Sequence, residues 1–415
     1  MADLTDWMDE NSGPHIVWYV KRLAANDTLA NESHQAGPYI PKEFFLGVFP
    51  SLNRPRDKNP DKKVELTIDS HCDARPVRAV WYNNKTSEPD APGAKKKSKR
   101  DECRLTRFGG ARSALLDPES TGSLAVFAFY RGETGESEVC HVWVCDTEVE
   151  ADLVEDRVGP VEPGKLTVWT VDENDPLLPK RSRPQNSCWL EPEEFPSGWL
   201  SVFPTGAEII RKTVELRSGH GLPVDSRLLK RRRCEYELFQ SLEEATELPI
   251  IRNGFDNIED FLARAQHILQ RRKSRAGLSL ELQTREIFLE ENLLQGTDFD
   301  HQPESEPGKH PDFLFPSKSH YSDPAFPASR LRMLAAKTTC KDRWSQVLTE
   351  AQRIPEKHLL TLQEGMSVRQ FTNMTEAGIR LVVPTPIIGK FPSQVRPHLQ
   401  SLESFIADVR LLRVN

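Results

Sequence analysis

Acidic and basic side chains that could hold a divalent metal ion occur in order between positions 311 and 350. Asp312 lies in the apolar run PDFLF, Lys337 ends the apolar run MLAAK, and Glu350 follows in a stretch with helical periodicity. Two carboxylates and a lysine on successive strands and a helix can assemble around a metal ion, which neutralises phosphate charge and activates water. The pattern therefore predicts hydrolysis of a phosphodiester. The alternatives are a turn residue for Asp312 and a surface ion pair for Glu350.

A basic-acidic-basic triplet, Lys341, Asp342 and Arg343, lies between the lysine and the second carboxylate. Arginine can donate two hydrogen bonds to guanine, and aspartate can accept one from cytosine, so the triplet could read bases in the major groove. Asp342 is also a good helix N-cap. The helix predicted from there carries an apolar stripe, bordered by Glu350, at Trp344, Val347, Leu348, Ala351 and Ile354.

The composition limits the possible classes of protein. The 415 residues suffice for two or three domains, and the formal net charge of −7 means that DNA binding would need local basic patches. The seven cysteines include no CxxC pair, which predicts reduced cysteines in a cytoplasmic protein. The amino terminus has no apolar core, and no apolar run is long enough for a bilayer. We therefore expect no membrane partner.

The patterning changes along the chain. Residues 1–171 contain short apolar runs separated by turn residues, which predicts a mainly β barrel or sandwich: HIVWYV, VELTI, RAVWYN, SLAVFAFY, HVWVC and KLTVWTV. Residues 172–187 mix prolines and charges and predict a linker. Residues 188–415 alternate helical patterns with single strands and predict an α/β domain, with a helix near 279–294 whose apolar stripe ends at Leu294 and an amphipathic helix closing the chain.

The element order of the second part is that of the PD-(D/E)XK nuclease fold. The chain also resembles the EcoRII family of type IIE restriction endonucleases over nearly its whole length, in SRAGLSLE, PDFLFP, KTTCKDRW and LLTLQEG and, earlier, in KRLAANDT, HQAGPYIP, RLTRFGG and LDPESTG. The resemblance implies a Mg²⁺-dependent homodimer that cuts double-stranded DNA at 5′-CC(A/T)GG. Its amino-terminal pseudobarrel would bind a second copy of the site as an allosteric effector and autoinhibit the nuclease. A DNA cytosine methyltransferase would be its functional partner in a prokaryotic cytoplasm.

The resemblance also implies roles for residues of the nuclease part. Asp312, Glu350 and Glu281 would hold Mg²⁺, Lys337 would position water, and Tyr321 would support the site. The acid that usually lies two residues before the lysine is replaced by Ala335, and Glu350 matches its substitute in this family. Taken alone, Glu281 is equally explained as an i,i+4 partner of Arg285.

Recognition residues are implied in the same way. Arg232 and Tyr236 match a pocket for a flipped base, although KRRR could equally be a phosphate-contacting patch. The effector site would use His34, Tyr39, Arg78, Arg100, Glu102 and Arg104. His34 is almost as well explained as a structural loop residue. Cys103 and Ser98 stand where the family has lysines, which weakens the inference of effector binding.

Two other functions remain open at the level of sequence. A repair or recombination nuclease could use the same fold without sequence specificity, but it would have little use for base readers such as Arg343. A DNA-binding regulator with a decayed nuclease site is the second alternative. The intact set of Asp312, Lys337 and Glu350 argues against it.

Overall fold

The computed structural model describes residues 3–31, 37–83, 101–110, 112–172, 175–178, 187–341 and 343–412. Its two compact units are residues 1–180 with 363–370 and 390–394, and residues 181–362 with 371–389 and 395–415. His34, Ser98, Arg100 and Asp342 lie outside the described residues, as does most of the predicted linker. The domain borders at 171 and 188 stay a prediction.

The first unit is mainly β, as predicted. Its strands are β1 (Ile16–Arg22), β2 (Tyr39–Ile40), β3 (Asp61–Ile68), β4 (Asp73–Tyr82), β5 (Glu102–Thr106), β6 (Leu124–Arg131), β7 (Ser137–Val144) and β8 (Leu166–Trp169). They form one eight-stranded sheet in the order β2-β5-β4-β3-β7-β6-β1-β8. Its helices are α1 (Leu4–Glu10), α2 (Lys42–Val48) and α3 (Glu148–Val158). All six predicted strand runs lie within or overlap these strands.

Alternation along the strands gives this sheet a core on each face. In β1, Val17 and Tyr19 belong to one core, whereas Trp18 and Val20 belong to the other. Successive side chains of a strand point to opposite faces, so a strand buried on both sides has apolar residues throughout. This accounts for the continuous apolar character of β1.

The second unit is built around a mixed sheet. Its strands are β9 (Asp300–His301), β10 (Phe313–Phe315), β11 (Arg332–Lys337), β12 (Lys357–Thr361) and β13 (Ile379–Val382), in the order β13-β12-β11-β10-β9. Strands β9, β10 and β11 are antiparallel, and β11, β12 and β13 are parallel. The helices of this half of the chain are α4 (Gly206–Leu216), α5 (Val224–Asn253), α6 (Ile258–Glu290), α7 (Lys318–Ser322), α8 (Trp344–Val347), α9 (Val368–Glu376), α10 (Thr385–Ile388) and α11 (Leu402–Leu411).

Helix α6 packs its apolar stripe on this sheet. The ring of Phe288 lies 5.1 Å from that of Phe313 and 5.5 Å from that of Phe315, measured between centroids. The predicted helix at 279–294 is therefore part of a longer one, and its predicted end is wrong. The helix stops at Glu290, and Leu294 is 61% exposed because it lies beyond the packed stripe.

Two further expectations are wrong. Cys188 and Cys234 form a disulfide, although we expected reduced cysteines. The two residues are 46 positions apart, so no local sequence pattern marks the pair. The helix predicted from Asp342 to Ile354 ends at Val347, because the backbone of Ala351 adopts a left-handed φ of 47° that no α-helix contains. Among the described helices, none is long and apolar enough to cross a membrane.

Candidate active site

The first carboxylate and the lysine meet where two neighbouring strands are paired. Asp312 directly precedes β10, and Lys337 is the last residue of the antiparallel strand β11. The Asp312 Oδ2 atom accepts a hydrogen bond of 2.7 Å from the backbone N–H of Ala336 and lies 3.4 Å from the Lys337 Nζ atom. The expectation that Lys337 ends a buried strand is confirmed, since Ala335 and Ala336 are buried.

Glu350 belongs to the same electrostatic environment. Asp312 is only 9% exposed, and this burial raises the pKa of its carboxyl, with the positive charge of Lys337 opposing the shift and the negative charge of Glu281 adding to it. Burial and then the charge of Asp312 raise the pKa of Glu350 to about 7. These four residues, Glu281, Asp312, Lys337 and Glu350, are called the carboxylate–lysine cluster below.

Glu281 is held by partners that are distant in sequence. Its carboxylate, on α6, lies 2.6 Å from His301 Nε2 and accepts a hydrogen bond of 2.7 Å from Gln302 Nε2. The alternative pairing of Glu281 with Arg285 is wrong, because Arg285 bonds to Glu286 and Gln295 instead. Sequence reasoning missed His301 and Gln302. A lone histidine beside a glutamine gives no pattern that could have identified them.

The cluster fits a magnesium ion that keeps part of its hydration. Mg²⁺ is usually bound through one or two carboxylates, several waters and substrate phosphates. Asp312 and Glu350 supply two partly buried carboxylates whose mutual repulsion a cation would relieve. Within the described part of the chain, no three His, Cys, Asp or Glu side chains are arranged to hold a metal ion by themselves. Glu281 is engaged with His301 and Gln302.

Tyr321 lies beside the segment that follows Glu350. Its hydroxyl donates to Glu306 and accepts a hydrogen bond of 3.2 Å from the backbone N–H of Arg353. Burial, and then the hydrogen bond with Glu306, raise the pKa of Tyr321 to about 12. The hydroxyl therefore stays protonated near neutral pH, as a hydrogen-bond donor to Glu306. These contacts agree with a supporting role, which stays a prediction.

The two described members of the triplet precede α8. Lys341 and Arg343 are both partly exposed, and Arg343 immediately precedes the helix at Trp344. Helix α8 is only four residues long. Lys341 and Arg343 therefore lie between β11 and a short helix. Its role in reading bases stays a prediction.

Arg232 and Tyr236 lie one turn apart on α5, so they share a face of that helix. Arg232 is 5% exposed, and its Nη1 atom lies 4.0 Å from Glu235. The guanidinium of Arg275 lies 5.0 Å from the centroid of the Tyr236 ring, within the range of a cation–π contact. The Tyr236 ring therefore lies beside the guanidinium of Arg275.

Four predicted effector residues share one face of the first unit's sheet. Tyr39 is paired with Arg104 across β2 and β5, Arg78 with Thr106 across β4 and β5, and Glu102 lies two residues before Arg104. Directly paired residues and residues two apart point to the same side of a sheet. We call the surface of Tyr39, Arg78, Glu102 and Arg104 the β2–β5–β4 face.

The charges of this face have partners inside the protein. Arg78 donates to both carboxylate oxygens of Asp61, and this contact lowers the pKa of Asp61. Arg104 donates to the backbone carbonyls of Gly37 and Asn26 at 2.7 and 3.1 Å. Cys103 points to the opposite side, into the core, where burial raises the pKa of its thiol to about 12. It therefore does not form part of the β2–β5–β4 face.

Comparisons with known proteins agree with this architecture. The family described as "Restriction endonuclease EcoRII, N-terminal" matches residues 12–173, and that described as "EcoRII C terminal" matches residues 239–406. The type II restriction enzyme EcoRII of Escherichia coli is 40% identical over 412 residues, which are 99% of this chain and 98% of that one.

Solved structures include DNA complexes of two restriction endonucleases. Metal-depleted Ecl18kI bound to uncleaved DNA is 19% identical, with a TM-score of 0.40 over 51% of this chain and 80% of that one. The PspGI–substrate DNA complex is 18% identical, with a TM-score of 0.40 over 51% of this chain and 93% of that one.

The matches over both halves of the chain define a type II restriction endonuclease, a site-specific deoxyribonuclease. The chain belongs to the EcoRII family. The predicted nuclease fold of its second part and the mainly β fold of its first part are thereby confirmed. As a restriction endonuclease it acts on DNA, and its class depends on a divalent metal ion.

Proposed function

We propose that this enzyme is a Mg²⁺-dependent homodimer that cleaves double-stranded DNA at 5′-CC(A/T)GG or a closely related site. The observation that carries the nuclease chemistry is the ion pair of Asp312 and Lys337 at the paired ends of β10 and β11, together with the effect of the Asp312 charge on the pKa of Glu350. The 40% identity to the EcoRII enzyme along almost the entire chain supports the recognition sequence. Mg²⁺ is favoured over softer metals because the available ligands are carboxylate oxygens.

In the proposed reaction, Asp312 and Glu350 hold the ion, whose chemistry is to neutralise phosphate charge and to activate water. Lys337 directs its ammonium toward the same place, where it orients the attacking water and stabilises negative charge on the phosphate oxygens. Its 3.4 Å separation from Asp312 supports this role. Glu281, braced by His301 and Gln302, orients the surroundings of the ion.

Base recognition is assigned to Lys341, Asp342 and Arg343. A dimer presents the triplet twice, which matches the two halves of a nearly palindromic site. For the central A·T pair we propose a flipped base held at Arg232 and Tyr236. The contact between Tyr236 and Arg275 supports a stacking platform there.

We further propose that residues 1–171 form an effector domain, that 172–187 form a linker and that 188–415 form the catalytic domain. The effector domain would bind a second copy of the site through its β2–β5–β4 face together with His34 and Arg100. The first compact unit includes residues 363–370 and 390–394 from the second half of the sequence. Within it, Ser367 Oγ donates to the Glu119 carboxylate at 2.6 Å, and Gln370 Nε2 donates to the Glu119 carbonyl at 2.9 Å. These contacts support coupling between effector binding and the nuclease.

The proposed setting is a prokaryotic cytoplasm, where a cognate DNA cytosine methyltransferase would protect host sites. The similarity to an enzyme of Escherichia coli supports it. The Cys188–Cys234 disulfide is of a kind that is rare in cytoplasmic proteins.

The direct test is to incubate the purified protein with Mg²⁺ and a plasmid of known sequence and then to sequence the ends. Ends confined to CC(A/T)GG sites would support the proposal. Ends scattered over the plasmid would favour a non-specific repair nuclease, and binding without any cleavage would favour a decayed regulator. Methylating the plasmid's cytosines at these sites should abolish cutting if the methyltransferase pairing is correct.

A further inference from the structure

Several side chains outside the carboxylate–lysine cluster hold the turn that carries Glu350, among them Glu306 and Lys357. The carboxylate of Glu306 accepts hydrogen bonds from the backbone N–H groups of Ala351 at 3.1 Å and Gln352 at 2.9 Å. The Nζ atom of Lys357 donates to the backbone carbonyls of Ala351 at 3.1 Å and Ile354 at 2.9 Å. The polar groups of Ala351 are thus fixed from both sides.

The backbone of this turn is strained at the point where it is fixed. Ala351 has a φ of 47°, in the left-handed region that L-residues with a Cβ atom rarely adopt. Such a conformation persists only when its surroundings over-determine it. Ala351 is the residue directly after Glu350, so its fixed backbone conformation also fixes the chain that carries the Glu350 carboxylate.

Lys357 occupies a costly position for a cation. It is 5% exposed, burial lowers its pKa, and its ammonium donates hydrogen bonds to two backbone carbonyls. A buried ammonium of this kind must be compensated by hydrogen bonds. Because those hydrogen bonds end on Ala351 and Ile354, the buried ammonium fixes the backbone of the turn. Glu306 is stabilised in turn by the hydroxyl of Tyr321, which links the predicted supporting tyrosine to the same structure.

We propose that Glu306 and Lys357 are positioning residues that clamp the 350–354 turn so that Glu350 faces Asp312 and the bound metal ion. The inference rests on the proposed role of Glu350 and extends it to two residues outside the predicted site. It also gives Tyr321 a specific task, which is to orient Glu306. None of the three contacts the reacting phosphate in this account.

The test compares Glu306→Gln with Glu304→Gln in the full-length protein. Glu304 is a matched control, because it is an exposed glutamate in the same loop and accepts a hydrogen bond from the N–H of Gly308. In Glu306→Gln one acceptor oxygen becomes an N–H₂ group, which cannot accept from the backbone. We expect single-turnover cleavage to fall about 10–100-fold, with a higher Mg²⁺ concentration for half-maximal rate, as for other residues that orient metal ligands. Metal-free DNA binding and the melting temperature should match those of Glu304→Gln.

Two readouts do not depend on cleavage. Hydrogen exchange of the peptide containing Ala351 and Gln352 should accelerate in Glu306→Gln and not in Glu304→Gln. Calorimetric titration of the DNA-bound protein with Ca²⁺, as a probe of the metal site, should show about 10–100-fold weaker binding. If Glu306→Gln proves unstable, Lys357→Met and Lys357→Arg provide a second comparison. The arginine variant, which keeps a cationic donor, should retain more activity and metal affinity.

The outcomes separate this inference from the proposed function. If Glu350→Ala is inactive while Glu306→Gln and Lys357→Met cut and bind Ca²⁺ like the wild type, the clamp is refuted and the role of Glu350 stands. If Glu350→Ala still cuts normally, both proposals are refuted. A loss of activity in Glu306→Gln with unchanged Ca²⁺ affinity and unchanged exchange at Ala351 would also overturn the clamp.

Discussion

At the β2–β5–β4 face each arginine lies beside a carboxylate, whereas the carboxylate–lysine cluster holds three carboxylates and one lysine. Arg78 meets both oxygens of Asp61, and this pairing lowers the pKa of the aspartate and raises that of the arginine. In the cluster, burial raises the pKa of both Asp312 and Glu350, and one lysine is close enough to bond to Asp312. The arginines of the face are matched by carboxylates, whereas the carboxylates of the cluster outnumber its lysine.

This difference indicates two kinds of ligand binding. The cluster has more carboxylates than lysines, and these carboxylates are at least partly buried. A bound metal ion would therefore stabilise it, which indicates a nuclease centre organised for a cation. A face whose arginine is already paired must exchange Asp61 for a phosphate before it binds DNA. We therefore expect effector binding to be weaker than DNA binding by a surface of unpaired arginines would be.

The largest effect should come from Lys337→Ala. This substitution removes the ammonium that lies 3.4 Å from Asp312, and with it the proposed stabilisation of the phosphate oxygens. Cleavage should fall by at least about 100-fold, while metal-free DNA binding, measured by gel shift, stays nearly unchanged. Cleavage within tenfold of the wild type would contradict the assignment.

The position of Lys337 shows how far the sequence leads. The run MLAAK predicts a buried strand that ends in a lysine, and PDFLF predicts its neighbour, because short apolar runs bounded by turn residues favour strands. The structure confirms both strands. Local patterns of this kind depend only on periodicity and residue type, which are visible in the chain itself.

Other features of the site depend on long-range contacts and were not predictable. Glu350 has helical periodicity around it, yet the helix ends at Val347 because Glu306, some 45 residues earlier, binds the N–H of Ala351. Glu281 looks like a partner of Arg285 by spacing, but His301 takes that place. In both cases tertiary contacts override a local preference.

Arg343→Ala should have the next largest effect. Loss of a bidentate guanine contact should cost about 1–3 kcal/mol of specific binding per half-site. The measurement compares affinity for CC(A/T)GG with affinity for the same duplex carrying a substituted outer base pair. Arg380→Ala is the control, because Arg380 is an exposed arginine of the same unit that pairs with Glu356. Unchanged discrimination in Arg343→Ala would show that the triplet does not read bases.

Arg78→Ala tests the β2–β5–β4 face with a smaller expected effect. Removing one phosphate contact should reduce the slope of log affinity against log salt concentration for the effector duplex by about 1. The loss of affinity should be similar for all DNA sequences. The control is Arg157→Ala, which breaks the ion pair between Arg157 on α3 and Asp9 on α1, elsewhere in the same unit. An equal change in both variants would show that the face has no special role.

The smallest expected effect concerns pH and metal-free stability. The pKa of Glu350 rises from 4.5 to about 7 in the folded protein, so the folded state binds its proton more tightly than the unfolded chain does. The free energy of unfolding should therefore fall as pH increases through that window. Glu350→Gln should melt about a few degrees higher than the wild type at pH 8 and equally near pH 4.5. If Glu350→Gln and the wild type had the same melting temperature at pH 8 as well as at pH 4.5, the raised pKa of Glu350 would be contradicted.

The central claim is that the effector domain restrains the nuclease until it binds a second copy of the site. The most direct test measures cleavage of a single-site plasmid with and without a short duplex that carries the site. The full-length protein should cut slowly alone and faster with the duplex. A fragment comprising residues 181–415 should cut quickly and ignore the duplex, because the effector domain is gone. If the intact enzyme cuts as fast as the fragment and the duplex changes nothing, residues 1–171 do not restrain the nuclease and the account is wrong.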